Sequence, residues 1–250
     1  MSSEEPDKEE SQCPRATRGG RRRSFTDEAY EAIKRDILRC ELEPSLPVTE
    51  EQLAELYGVG RAAVRAALKR LYQQGLVVLV TPKRYAIAPI TIKQAQDICS
   101  LRLLLEPTAA RLAATRADED VLERLEALCD VTYEVGNRRS AEHFLRANTE
   151  FHVMIARAAG NDVLVEFVSS LLEQEERINH LSYSLRDRND QVSHEHRDIL
   201  NALRQRDAAG AEALMRQHIE ASSRFVVEAF LSSPSVQQTP VIGRQGLSGA

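Results

Sequence analysis

Over residues 24–40 the apolar positions Tyr30, Ile33, Ile37 and Leu38 recur at helical spacing behind a cap at Ser24 or Thr26, which predicts a first helix. Pro44 and Pro47 then impose an extended link. Thr49, with Gln52 three residues on, has the form of a capping box and opens a second helix that turns Leu53, Ala54 and Leu56 inward. The run Tyr57-Gly58-Val59-Gly60 predicts a turn, and a third helix follows to about Gln74, stopped by Gly75. Its apolar stripe is Val64, Ala67, Leu68 and Leu71. Residues 76–80 and 85–88 are short apolar runs with β-branched side chains on either side of Thr81-Pro82-Lys83-Arg84, and they read as a two-stranded wing.

Beyond Pro89 only helical patterns remain. They place six helices near 93–116, 118–137, 140–159, 161–182, 187–206 and 208–231, with Asp118, Asn161 and Asp207 as capping side chains in the turns. Residues 1–23 carry almost no large apolar side chains and read as a disordered basic tail, and the Pro- and Gly-containing stretch from 232 to 250 reads as a mobile one. The expected fold class is mainly α: a winged helix-turn-helix over 24–90 and an all-α helical bundle over 91–231.

Charge sharpens this picture. The 250 residues hold 33 Lys+Arg against 38 Asp+Glu, yet from Leu56 through Gln96 there are seven basic residues and no acidic one. A local basic face is what phosphate binding requires. On the third helix Arg61, Arg65 and Lys69 repeat every four residues on the side opposite the apolar stripe, and the small Ala62 and Ala66 between them let the backbone approach base edges. Lys83 and Arg84 on the wing suit phosphate contacts. Five arginines between Arg15 and Arg23 either follow a DNA backbone or enter a minor groove, or belong to a plain solvated tail. Cys13, Cys40, Cys99 and Cys129 are widely spaced and form neither a disulfide framework nor a cysteine-rich zinc site. With no membrane-length apolar run and no signal peptide, a cytoplasmic location is expected.

The segments Glu-Leu-Glu-Pro, Thr-Glu-Glu-Gln-Leu-Ala, Gly-Val-Gly-Arg-Ala-Ala-Val-Arg-Ala-Ala-Leu-Lys-Arg-Leu and Gln-Gly-Leu-Val resemble the winged helix-turn-helix of the GntR family. The resemblance implies a transcription regulator, with Arg61 and Arg65 at that family's two DNA-contacting arginines. Three positions depart from the family pattern: Gly60 stands for the usual Ser, Ser45 for the usual Gly after Pro44, and Tyr85 for the usual wing glycine. The last puts the wing turn in question, because a bulky residue resists the positive φ that glycine adopts freely.

All six histidines lie in the helical half. Asn148 and His152 share a helical face at i, i+4, and His196 and His218 sit on the last two helices, which antiparallel packing can bring together. Three imidazoles and an oxygen suit a transition metal such as Zn²⁺. Arg102-x-x-x-Glu106-Pro107, Phe151-His152, Ala159-Gly160-Asn161, Glu195 to Leu203 and Met215 to Ile219 resemble the FCD sensor domain of the FadR branch of GntR regulators, in its six-helix, VanR-like form. That resemblance implies metal ligands at Asn148, His152, His196 and His218, with Asn148 in place of the family's Asp and so a weaker site. It also implies a carboxylate effector, an organic or sugar acid, and a ligand-facing role for Arg102, whose other reading is an ion pair with Glu106 four residues on. Glu150 and Glu195 adjoin candidate ligands but are expected to point elsewhere. Without a neighbouring base, a metal-dependent hydrolase is the lesser alternative. A regulator with a purely structural metal is another. The expected partner is operator DNA bound as a homodimer, since one recognition helix buries too little surface for operator specificity.

Overall fold

The computed structural model describes residues 25–81 and 84–232. The tail expected over 1–23, Lys83 in the wing turn, and all of the C-terminal tail but its first residue lie outside the described residues. Helices α1 (Phe25–Leu38), α2 (Glu50–Tyr57) and α3 (Arg61–Gln73) precede strands β2 (Val77–Thr81) and β3 (Arg84–Ile87), and a short β1 (Pro47–Val48) lies between α1 and α2. The capping box forms as the sequence predicts: Thr49 Oγ accepts from the Gln52 backbone N–H, and Gln52 Oε1 accepts from that of Thr49. Gly58 closes α2 at φ 64°, in the left-handed region where it has no Cβ to strain. Val64, Ala67, Leu68 and Leu71 of α3 are fully buried against Ile33, Ile37 and Leu53.

The sheet is larger than the expected two-stranded wing. β1, which the two prolines suggested only as an extended link, pairs antiparallel with β3 at Pro47–Ala86 and Val48–Tyr85, giving the order β1-β3-β2. Proline tolerates this edge position because its missing N–H leaves no ladder bond unmade inside the sheet. Tyr85 is a regular β3 residue opposite Val48 and Leu79, and its φ is not positive. The positive φ falls at Ser45 instead, at 67°.

Six further helices follow: α4 (Ile92–Arg116), α5 (Glu119–Cys129), α6 (Arg138–Ala158), α7 (Asp162–Leu185), α8 (Asn189–Arg204) and α9 (Ala208–Leu231). Asp118, Asn161 and Asp207 cap their helices as expected. α5 ends eight residues earlier than predicted. The segment after it is held out of the helix by Asn189, whose Oδ1 accepts from the Tyr133 N–H at 2.9 Å, and by Gly136 at φ 85°. The Tyr133 ring meanwhile packs on Phe144 and Tyr183. α4 is the central rod, lying along α9 and touching α6, α7 and α8. One core joins Ala110, Leu125, Phe151, Ile155, Leu203 and Met215, and a second around Phe144, Ile178, Phe225 and Phe230 lies beside Ile90 of the inter-unit link. No helix among the described residues is long and apolar enough to cross a membrane.

Candidate functional sites

The first site is the outer face of α3. Arg61, Arg65 and Lys69 are exposed on one side of the helix, with Ala62 exposed and Ala66 half-buried between them. Packing of the opposite stripe against α1 and α2 fixes this face outward. Two acidic residues in the first turn of α2 meet it: Glu51 pairs with Arg61, and Glu50 takes Arg65 side-on, with Nε and Nη2 donating to its two oxygens at 2.9 and 2.7 Å. Arg70 turns away to Asp27 and stacks over the Tyr30 ring at 3.6 Å, so it ties α3 to α1. Arg84 is exposed at the start of β3.

The second site lies inside the six-helix bundle. His152 on α6, His196 on α8 and His218 on α9 are all buried, and one nitrogen from each falls within 4.8 Å of the others. Asn148, one turn before His152, is buried as well. His152 Nε2 and His218 Nε2 face each other at 3.2 Å. The outer nitrogens face carboxylates: His218 Nδ1 lies 2.7 Å from Glu195 Oε2, and His152 Nδ1 lies 2.6 Å from Glu106 Oε2. The second contact is close but makes no formed hydrogen bond. A carboxylate only accepts, so His218 Nδ1 carries the hydrogen and His218 Nε2 keeps a lone pair turned toward His152. His196, stacked on Phe151 with ring centroids 3.9 Å apart, has its buried Nε2 without a hydrogen-bond partner. Three buried imidazoles are thus arranged so that they could hold a metal ion.

The electrostatics agree with neutral rings at His196 and His218. Burial first, and then the neighbouring imidazoles, hold His196 well below the ordinary histidine pKa, and burial followed by His152 does the same for His218. Burial would raise Glu106, but Arg102 and His152 outweigh it and keep this carboxyl below the usual carboxylate range.

Arg102 is buried, and its guanidinium is occupied: Nε donates to Glu106 at 2.5 Å and Nη1 to Glu175 of α7 at 2.5 Å. Of the two sequence readings for this residue, the ion pair with Glu106 is therefore present. Glu195 departs from expectation. It does point away from His196, its neighbour in sequence, but it reaches across to His218 on α9 and is also clasped by Arg188 Nη2 at 2.8 and 2.9 Å. Sequence spacing tests partners on one helix and misses such a bridge between two. Glu150 pairs with Arg157 on the surface, as expected. His143 and His194 are exposed, whereas His180 is largely covered beside Glu176. A cleft of about 460 Å³ between the end of α1 and helices α6 and α7 contains none of the predicted site residues.

Residues 25–85 match the family described as bacterial regulatory proteins, gntR family, and residues 97–221, half of the chain, match the FCD domain. The chain is 24% identical to the HTH-type transcriptional repressor RspR of Escherichia coli (strain K12) over 197 residues, covering 79% of this chain and 86% of RspR. It is 28% identical to the HTH-type transcriptional repressor NanR of Cronobacter sakazakii over 230 residues, covering 79% of this chain and 84% of NanR. Among solved structures, E. coli McbR/YncC superposes with a TM-score of 0.66 at 19% identity, over 84% of this chain and all of that one. A putative GntR regulator from Rhodococcus sp. RHA1 gives 0.65 at 17% identity, over 82% and 98%. These two likenesses bear on the fold alone. With its helix-turn-helix and FCD matches together spanning the reading face and the histidine cluster, this chain belongs to the GntR family of bacterial DNA-binding transcription regulators, in the branch that carries an FCD domain.

Proposed function

We propose that the chain is a repressor that binds operator DNA as a homodimer and is controlled by a small carboxylate, an organic or sugar acid, held with a divalent metal inside the bundle. The reading unit would span residues 24–90 and the sensing unit 91–231. Arg61, Arg65 and Lys69 would meet base edges, and Lys83 and Arg84 the phosphates. The observation that carries the metal reading is the unpartnered, buried His196 Nε2 beside the inward-facing Nε2 atoms of His152 and His218, a donor set of imidazoles suited to zinc. His152, His196 and His218 would hold the ion with Asn148 as a weak oxygen donor, and the ion would supply a cationic position for an acid. Glu106 and Glu195 orient two of the rings, and Arg102 holds Glu106 in place. An acid reaching Arg102 would have to compete with Glu106 and Glu175.

Metal content of protein purified without chelator or affinity tag tests this directly. Wild type should carry a divalent ion that His196→Ala lacks, and Asn148→Asp should hold it more tightly. Equal metal in wild type and His196→Ala would sink the reading. On the DNA side, Arg65→Ala should weaken specific binding roughly tenfold to a hundredfold, the span of one bidentate guanine contact. The dimer is supported by an exposed apolar face across the adjacent helices α4 and α7, with Leu104 70% exposed and Phe167 60%. Phe167→Glu should convert a dimer to a monomer in light scattering, and an unchanged mass would remove this face.

A further inference from the structure

We infer that Glu50 is a specificity-determining residue of the DNA-reading face: it fixes the guanidinium of Arg65 so that only its end-on edge is offered to a base. This rests on the reading of Arg65 as a base-contacting residue.

The geometry is side-on. Arg65 Nε donates to Glu50 Oε1 at 2.9 Å and Oε2 at 3.0 Å, and Nη2 donates to Oε2 at 2.7 Å. A guanidinium has five N–H donors in one plane. With Nε and one Nη2 hydrogen engaged, the remaining Nη1 and Nη2 hydrogens form a single outward fork of the width that matches guanine O6 and N7. The two partners differ in setting. Glu50 is recessed, its side chain 22% exposed, while that of Arg65 is 68% exposed. The carboxylate is therefore the fixed member and the guanidinium the presented one.

Glu50 is fixed for local reasons. It is the first residue of α2, directly after the Thr49 cap, where the capping box pins the backbone and the helix N-terminus favours a negative charge. The Arg65 hydrogen bond, followed by the fields of Arg65 and Arg61 against a burial effect, holds the Glu50 carboxyl below its ordinary range, so it stays an acceptor at neutral pH. An unrestrained arginine spreads over many rotamers and pays for ordering when it meets a base; one already held loses less on binding. The competing role, a counter-ion that merely masks Arg65 until DNA displaces it, makes the opposite forecast about sequence preference. It predicts that removing Glu50 raises affinity for all DNA alike and leaves the preferred site unchanged.

Selection from a random-sequence duplex library with the full-length protein separates these cases. Wild type, Arg65→Ala, Glu50→Gln and Glu50→Asp are compared, and binding to unselected duplex is measured alongside. Arg65→Ala should erase the preference at one base pair of each half-site. Glu50→Gln should weaken that same preference, by about tenfold out of the discrimination a bidentate contact gives, and should raise affinity for unselected duplex because one negative charge leaves the phosphate-facing side. Glu50→Asp, too short to reach both nitrogens, should weaken the preference without the gain in unselected binding. A site still sharp in both Glu50 variants while Arg65→Ala loses it overturns the inference. A site unchanged in Arg65→Ala overturns instead the reading on which it rests. Circular dichroism of each variant guards against loss of fold, and the gain in unselected binding cannot come from an unfolded reading face.

Discussion

At Ser45 the backbone takes φ 67°, the left-handed conformation, in the link between α1 and β1, while its N–H donates to the Ile87 carbonyl at 3.0 Å. The sequence placed the family's missing glycine at both Ser45 and Tyr85, and only Ser45 bears the strain. An L-residue there costs roughly 1 kcal/mol or more, and glycine gives back part of the relief through its larger unfolded entropy. Ser45→Gly should therefore raise stability in urea denaturation by about 0.5 kcal/mol, and the β-branched Ser45→Val should lower it by at least about 1 kcal/mol. Equal stabilities for the two variants would show that the backbone is not held in this conformation. Gly60 is the complementary case. It is the N-cap of α3 at φ −70°, ψ 146°, with no side-chain bond to the helix and open space where a Cβ would stand. Gly60→Ser should add a cap hydrogen bond and stabilise by a few tenths to about 1 kcal/mol, measurable in the same denaturation series.

At the scale of elements, the helices were legible because their periodicity and caps coincide: the stripe of α3 and the caps Asp118, Asn161 and Asp207 mark their helices in the sequence itself. Two elements were not. β1 is two residues long and exists only because β3 offers it a partner, and the end of α5 is decided by Asn189, some sixty residues away in sequence. The site divides in the same way. His152, His196 and His218 could be proposed from spacing and resemblance, but the carboxylates on their outer nitrogens come from α4 and from a bridge between α8 and α9. Helices α4, α6, α8 and α9 bury the rings, and burial has a consequence for pH. His196 and His218 stay neutral in the folded protein well below the pH at which the unfolded chain protonates them, near 6.5. Below that value the unfolded state binds more protons, so stability falls as pH falls toward the depressed folded values. The slope approaches about 1.4 kcal/mol per pH unit for each ring, and about 2.7 for both. In chelator, unfolding free energy should be level above about pH 7.5 and decline below about 6.5. His196→Gln should lose half of the slope. A profile that stays level to about pH 5 would mean that the rings are open to water.

At the scale of the whole molecule, one turn of α7 faces both the histidine cluster and the DNA-reading unit. Glu175 points inward and closes the buried series His152, Glu106, Arg102, Glu175. Two residues on, Arg177 Nη2 donates to the carbonyl of Ala88 at 2.6 Å, at the exit of the wing sheet, while its own carbonyl accepts from Cys40 Sγ after α1. Glu173, two residues before Glu175, pairs with Lys34 of α1. Arg177 is buried with its Nε unpartnered, and burial lowers its pKa, so the junction carries a cation whose side chain, among the described residues, is gripped by the Ala88 carbonyl. Such a contact is sensitive to small displacements, because a hydrogen bond from a charged donor contributes about 1.5–3 kcal/mol and a buried cation that loses it stays desolvated. If the cluster binds a metal, the rings draw together, Glu106 and Arg102 are restrained through them, and the α7 turn is restrained in its place. Zinc chloride should then slow hydrogen exchange in the link between β3 and α4 (residues 88–91) of wild type. Arg177→Met keeps the bulk of the side chain and removes the grip on Ala88. It should bind the same amount of zinc and show the same zinc-induced rise in thermal stability of the bundle, with no slowing of exchange in the link. Equal slowing in wild type and Arg177→Met would mean that the histidine cluster and the reading unit communicate by another route, with Lys34–Glu173 on the surface the next pair to break.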